Sequence, residues 1–518
     1  MRALKPGSRP PWASSAAVFT AMKHSTTMTQ SHKSAEEEVF FASQARKVAS
    51  CQSKMPKVVV IGAGPAGIMS AIYLAKQGCS ISVLEKREAP SADYVSQRTV
   101  MYVVKGCGQA ALSEAGVEQT GLRKMDRSSW SLSDGKGKVA RGPERPAKGD
   151  LMVERATLAA FMLQEAVRLH PDLITFHFSA STSNINFEDR TVTWSDANGH
   201  AHSQRFNLLV GADGRHSYVR QCMQAHNAKM KVTVVPADSW HLAFLGLQPQ
   251  EGYWELSNKE RTVARMTTTF QPPKLSALFW PNGKGEVSGS MTSTQENLLD
   301  LTNGTITAEE ALQRVDPDIP QPWVQKIAEQ AKGLRPSCVG ATTKCSTIIA
   351  PGAVLIGDSA HSVRPTLGLG CNTALQSAQL LGQAVERCDG DLDAAVVLYE
   401  RERLPDLHAL YNLDITAIPR LGGGYGGKWN YHHLLWRWHL ALWNGLAKLP
   451  GPLGAVGGPE WNALGSQDVP YRKIWRALHR DSAFAIVCIA ASAVLLGSVG
   501  QCWLMRSGSK PVSRRTSP

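Results

Sequence analysis

The residues of this chain able to do chemistry fall in three short clusters, each at the end of an apolar run. The first is Gly62, Gly64 and Gly67 in KVVVIGAGPAG, followed by Glu85 at the end of ISVLE. The G-x-G-x-x-G spacing suits a pyrophosphate. Its first glycine permits a tight turn, its second lets backbone approach the phosphates, and its third lets a helix pack on the strand. The helix N-terminus then faces the phosphates, and an acid ending the second strand accepts hydrogen bonds from ribose hydroxyls. The second cluster is Asp213-Gly214 in GADGRHSYVR, with Ser217 and Arg220 behind it. The third is Gly357-Asp358, which ends the run Ala353–Ile356 and opens a Gly-rich loop through Pro365, Gly370, Cys371 and Asn372 into a helical pattern. A strand that ends in Gly-Asp and feeds a helix N-terminus presents a carboxylate and free N–H groups to one polar ligand. Alone, each Asp/Gly pair also reads as an ordinary turn. The ordered set of three points to one adenine dinucleotide.

Arginines flank these clusters. Arg98 precedes the apolar run Val100–Val104. Arg155 lies in the first turn of the helical pattern Val153–His170, where a cation is unfavourable against the dipole unless it serves an anion. Arg127 stands before SLSDGKGKV, a hairpin pattern with its turn at Asp134-Gly135, and from that pattern alone reads as solvated.

Around these clusters the pattern alternates strand and helix, which makes the chain α/β with a Rossmann-like dinucleotide-binding domain. Residues 1–55 are basic, Ser-rich and free of acid before Glu36, the composition of a transit peptide or of a solvated tail. Residues 56–403 form the expected catalytic domain, interleaved with a sheet-rich substrate region at 230–345. Leu392–Leu413 reads as a long helix interrupted at Pro405. Residues 404–480 are helical and rich in Trp and Gly; Trp436, Trp438 and Trp443 suit a membrane interface or packing on the body. Ser482–Met505 carries no charge. Its last 23 residues would make a helix of roughly 35 Å, enough for a hydrocarbon core of about 30 Å. A basic tail, 506–518, follows. This pattern predicts a single membrane anchor.

Composition bounds the rest. The net charge of +13 on 518 residues is concentrated at the ends, which argues for targeting or membrane contact, and no nucleic-acid motif occurs. The ten cysteines include no Cys-x-x-Cys pair, and His432, His433 and His439 lack an acid at metal spacing, so no metal is expected.

Taken together, GAGPAG, DGRHSYVR and GDSAHSVRPTLGLGCN fill every position of GxGxxG, DGxxSxxR and GDxAHxxxPxxGxGxN. Over roughly Lys57–Arg403 the chain thereby resembles the FAD-dependent aromatic hydroxylases, the group A flavin monooxygenases. Within them it is most similar to the kynurenine 3-monooxygenase branch, through RTVMYVVKGCGQAALSEAGV, with Lys105 and Cys107 in place of a Ser and an Arg. The resemblance implies FAD as cofactor and NADPH as co-substrate. O₂ would add to the reduced flavin, and the hydroperoxide would pass OH to an electron-rich ring. It implies that Asp358 holds the ribityl chain and that Pro365 lines the pocket near the ring. The helix N-terminus after Gly368–Gly370 would stabilise the anionic reduced flavin. Arg127, Asn412 and Tyr471 match or lie near that branch's substrate-carboxylate ligands; a further Tyr of the branch is replaced by Arg141 or Gly142. A C-terminal membrane helix is shared with the branch, so the resemblance implies an anchored enzyme at the mitochondrial outer membrane or another organelle membrane. An FAD-dependent epoxidase or reductase of a lipid or isoprenoid is the alternative; an escort protein on a flavoprotein fold is a third reading.

Overall fold

The runs VVVI and LLVG are apolar at every position because both faces of their sheet are covered. In the computed structural model, which describes residues 55–90, most of 101–421, 469–477 and the single positions 480, 487, 494 and 498, these runs are central strands. Six strands pair in the order Ile349–Ala350, Ala353–Leu355, Leu208–Gly211, Lys57–Ile61, Ser80–Leu84, Ile174–His177. All neighbours are parallel except the first pair. The helices Pro65–Lys76, Arg155–Leu169 and Gly370–Arg387 pack with this sheet into one core.

A second sheet runs Ser337–Cys338, Trp240–Leu247, Val287–Ser293, Ser276–Pro281, Val263–Thr269, Arg127–Ser133, Val139–Arg141, with Arg145–Pro146 paired to Arg127–Ser133. Residues from before position 150 thus join strands from 240–338. The hairpin at Asp134-Gly135 is present, and Asp134 Oδ1 accepts the N–H groups of Lys136 and Lys138 at 2.7 and 3.1 Å. Helices Gln295–Asn303, Ala308–Val315 and Gln321–Ala331 cover one face of this sheet with Leu298, Leu312 and Trp323. Thr307 and Glu310 form a capping box on the middle helix.

Three expectations are corrected. The pattern at Val153–His170 starts its helix only at Arg155, because Leu151–Glu154 is held as a strand against Met101–Val104. Pro405 does not interrupt its helix, which is continuous over Leu392–Leu421. Pro405 lies on the exposed face, while Arg403, Asp406, Leu407 and Leu410 bury the opposite one; packing of that face outweighs the one lost backbone bond. Finally, no helix among the described residues is long and apolar enough to cross a membrane. The single membrane helix at 482–505 and the membrane-anchored location are therefore withdrawn. Most of that segment lies outside the described residues, as do Trp436, Trp438, Trp443 and the three histidines near them.

Candidate active site

Four adjacent parallel strands carry the three clusters at their C-terminal ends. Ala353–Leu355 leads to Gly357-Asp358, Leu208–Gly211 to Asp213-Gly214, Lys57–Ile61 to Gly62, and Ser80–Leu84 to Glu85. Ligands of open parallel sheets bind outside these ends. A cavity of about 360 Å³ opens there, lined by Gly62, Gly64, Glu85, Arg155, Asp213, Asp358, Gly370 and Cys371 among others. Eight residues expected from sequence to bind the cofactor are thus brought to one space.

The clusters also brace one another. A Cβ on Gly62, whose φ is +105°, would stand 2.5 Å from the Ala212 carbonyl oxygen, so the first turn is packed against the second. A Cβ on Gly357 would stand 2.7 Å from Ala66 Cβ, so the third turn is packed against the first helix. Ser359 Oγ donates to the Gly211 carbonyl at 2.5 Å. Arg220, nearly buried, donates to the carbonyls of Ser359 and Arg215, both at 2.6 Å. Ser217 caps the helix that carries it by accepting the Arg220 N–H at 2.9 Å.

The acids are poised differently. Glu85 accepts the Ala63 N–H at 2.8 Å and the Arg87 N–H and Nε–H at 3.0 and 2.8 Å. Burial works to raise its pKa, but Arg87 and the Ala63 N–H outweigh burial and hold it below the ordinary value. Arg87 thus covers the acid on the side toward solvent. Asp213 Oδ2 accepts the N–H groups of Tyr218 and Val219 at 2.6 and 3.2 Å, whereas its buried Oδ1 has no partner among the described residues. Asp358 opens onto the cavity floor yet is surrounded by protein. That enclosure pushes its carboxyl up, against the pull of Arg155, Arg215 and Arg220. Arg155 is exposed into the same cavity.

Helix Gly370–Arg387 begins at the cavity with no side-chain cap, so its first N–H groups face the open space beside Gly370 and Cys371. Burial pushes the Cys371 thiol up to about 12, so it stands there as a neutral group. Asn372 is not free to meet a cofactor with its side chain. It is fully buried, accepts the Lys105 N–H at 2.7 Å and donates to the carbonyls of Val103 and Gly368, each at 2.8 Å. Pro365 is exposed. Arg98 lies outside the described residues.

The residues expected to hold a substrate come from separate elements. Arg127 opens its strand in the second sheet. Tyr471 is buried, with its hydroxyl 2.8 Å from Thr373 Oγ1 on the active-site helix. Asn412 is half-buried on the long helix, two residues before Asp414, which places it about 200° around the helix from that residue. It is Asp414 that reaches the third cluster, by an ion pair with Arg364 at 3.3 Å. Burial pushes the Asp414 carboxyl up, opposed by Arg364 and Thr342.

Sequence reasoning passed over a buried polar group behind the site. Arg403 donates to Ser377 Oγ at 3.1 Å, to Asp406 at 2.9 Å and to the Thr373 carbonyl at 3.2 Å. His361 Nε2 lies 3.2 Å from Ser377 Oγ, and burial with the nearby Arg403 charge lowers its pKa to about 3, so it is neutral. Arg472 N–H donates to Asp406 at 2.9 Å. The signal was present: Arg403 and Asp406 stand three apart on the face that also carries Leu407 and Leu410.

A family profile described as an FAD binding domain matches residues 55–410. The chain belongs to that family. It is an FAD-dependent monooxygenase, in agreement with its relatives. Violacein synthase of Chromobacterium violaceum is 25% identical over 360 residues, 66% of this chain and 80% of that one. Kynurenine 3-monooxygenase of Stenotrophomonas maltophilia is 27% identical over 377 residues, 68% of this chain and 77% of that one. The fold is shared with Pseudomonas aeruginosa PqsL, solved with 2-aminobenzoylacetate, at a TM-score of 0.55 and 21% identity over 71% of this chain and 97% of PqsL. It is shared also with 2-methyl-3-hydroxypyridine-5-carboxylic acid oxygenase, at a TM-score of 0.54 and 20% identity over 74% and 95% of the two chains. The cavity suits FAD on its own evidence: glycine turns that admit a pyrophosphate, an acid at the second strand end, an unpartnered Asp213 oxygen, and an uncapped helix N-terminus.

Proposed function

We propose that this enzyme uses NADPH and O₂ to hydroxylate an aromatic, carboxylate-bearing substrate of the kynurenine kind. The observation that carries the reading is the course of the cavity, from the Glu85 strand end to the uncapped helix at Gly370 and Cys371. There Glu85 would hold the ribose of a dinucleotide, the Gly62–Gly64 turn its pyrophosphate and the helix N-terminus its ring.

Bound FAD supplies the redox chemistry, taking electrons from a reduced nicotinamide and activating O₂. The chain's part is to bind, orient and shield. Glu85 would accept the ribose hydroxyls. Arg155 faces the phosphates, and Asp358 accepts from the ribityl hydroxyls; a partner there stabilises its carboxylate against the upward push of burial. The N–H groups at Gly370 and Cys371, with the helix dipole, stabilise negative charge on the reduced ring. Pro365 forms part of the wall where the substrate ring lies. Arg127 binds the substrate carboxylate, for which a guanidinium offers two parallel hydrogen bonds.

The test is a substrate screen with purified protein loaded with FAD, following NADPH consumption and identifying the product. The reading expects oxidation stimulated by kynurenine or related amino-aromatic acids, with a hydroxylated product. NADPH consumption without any hydroxylated aromatic product across that class refutes it.

A further inference from the structure

The third cluster is tied to the long helix by a buried charge pair that the proposed roles leave unused. The Asp414 side chain is 0% exposed and that of Arg364 12%. Asp414 Oδ2 accepts the Thr342 hydroxyl, the Arg364 backbone N–H at 3.3 Å and Arg364 Nε–H at 3.3 Å. Arg364 Nη2 donates in return to the Asp414 carbonyl at 2.7 Å. One acid therefore holds both the main chain and the side chain of the residue immediately before Pro365.

That position matters because Pro365 has no N–H of its own. The Arg364 N–H is the last donor before the loop, and Asp414 takes it. Other ties hold the chain on either side. Upstream, Ser362 Oγ donates to the Ala341 carbonyl at 2.5 Å, and the Ser362 carbonyl accepts the Thr343 N–H at 2.8 Å. Downstream, Asn372 clasps the Gly368 carbonyl at 2.8 Å, and the Gly368 N–H donates to the Pro365 carbonyl at 2.8 Å. Of these bonds, only that of Asp414 is made to the N–H from which the chain enters Pro365. A buried ion pair is a poor stability device, since well-packed apolar residues of the same volume often serve as well. It is a good orienting device, because the guanidinium and the N–H must both point at one carboxylate.

We propose that Asp414 is a positioning residue for oxygen transfer: acting through Arg364, it sets where Pro365 lies against the flavin ring. This rests on the assignment of Pro365 to the wall of the reaction chamber.

The experiment compares the parent with Asp414→Asn and with Asp414→Asn combined with Arg364→Met. It follows thermal unfolding, FAD affinity by flavin fluorescence, and the visible absorption of the bound flavin. Asp414→Asn keeps the shape but leaves the Arg364 charge unpaired, so the melting temperature falls. FAD affinity changes by less than about threefold, because the adenine half is held elsewhere, while the bound-flavin absorption moves toward that of free FAD. The double variant removes both charges and recovers the melting temperature, yet keeps the altered absorption. Two results overturn the proposal. One is an unchanged flavin spectrum in Asp414→Asn. The other is a spectrum that returns to the parent's together with stability in the double variant, which would make the pair structural only. A parent that binds FAD but hydroxylates no amino-aromatic acid refutes the proposed substrate instead, and leaves these spectra readable.

Discussion

Gly64 and Gly67 are three residues apart in one turn, yet alanine at each should fail for a different reason. A Cβ on Gly67 would stand 1.9 Å from the Gly62 carbonyl oxygen and 3.3 Å from Ala212 Cβ. Ordinary contact begins near 3.4 Å, so the helix Pro65–Lys76 must move away from its strand by about 1.5 Å to admit the methyl. Overpacking of this kind costs roughly 1–3 kcal/mol, and it acts whether or not cofactor is present. A Cβ on Gly64 meets nothing within 4 Å, and the residue has φ −77° and ψ 174°, which alanine adopts freely. Gly64→Ala should therefore leave the apoprotein's stability within about 0.5 kcal/mol of the parent. It should still weaken FAD at least tenfold, about 1.4 kcal/mol, because the methyl fills the space the pyrophosphate needs. The assay is paired: chemical denaturation of the apoprotein, and FAD binding by quenching of flavin fluorescence. Gly67→Ala is expected to lose in both, Gly64→Ala only in the second. Parent-like FAD affinity in Gly64→Ala would refute the placement of the pyrophosphate at this turn, and a large loss of apoprotein stability there would refute the reading of the space as ligand space.

Other expectations follow from the same structure. His361 is held at about 3 by burial, against an ordinary value of 6.5. Between those values the unfolded chain binds one more proton, so His361's contribution is fully present above about pH 6.5 and is lost as pH falls toward 3, by up to about 1.4 kcal/mol per pH unit. Denaturation at pH 7 and pH 5 should show this loss in the parent and a smaller one in His361→Gln; equal losses would count against it. Tyr471→Phe leaves Thr373 Oγ1 without its buried partner, at about 1–3 kcal/mol. Proteolysis should then cut near residue 470 sooner, and an unchanged cleavage rate would show that the tie is idle. Arg220→Met removes the bond to the Ser359 carbonyl that joins the second and third clusters, and the bond to the Arg215 carbonyl within the second; FAD affinity should fall about tenfold or more, as equilibrium dialysis would detect.

The features legible before folding were local and chemical. Approach to a phosphate, a carboxylate at a strand end and free N–H groups at a helix start each depend on a few residue types at fixed short spacings. GAGPAG, Glu85, Asp213-Gly214 and Gly357-Asp358 could therefore be read before any fold was known. Their meeting in one cavity needed the strand order, which sets Leu208–Gly211 between strands some 150 residues away on either side in the chain. Side-chain direction was likewise beyond the sequence. On a helix two residues' separation turns a side chain by about 200°, so the motif match at Asn412 could not reveal that Asp414 is the residue reaching Arg364. Asn372 matched a cofactor motif, yet its side chain is spent on Val103, Lys105 and Gly368. Pro405 looked like a break because its cost is local, while the packing that outweighs it comes from elements far off in the chain. Residue type and spacing fixed what this protein can bind; which of those side chains face the ligand was decided by tertiary partners that no local window contains.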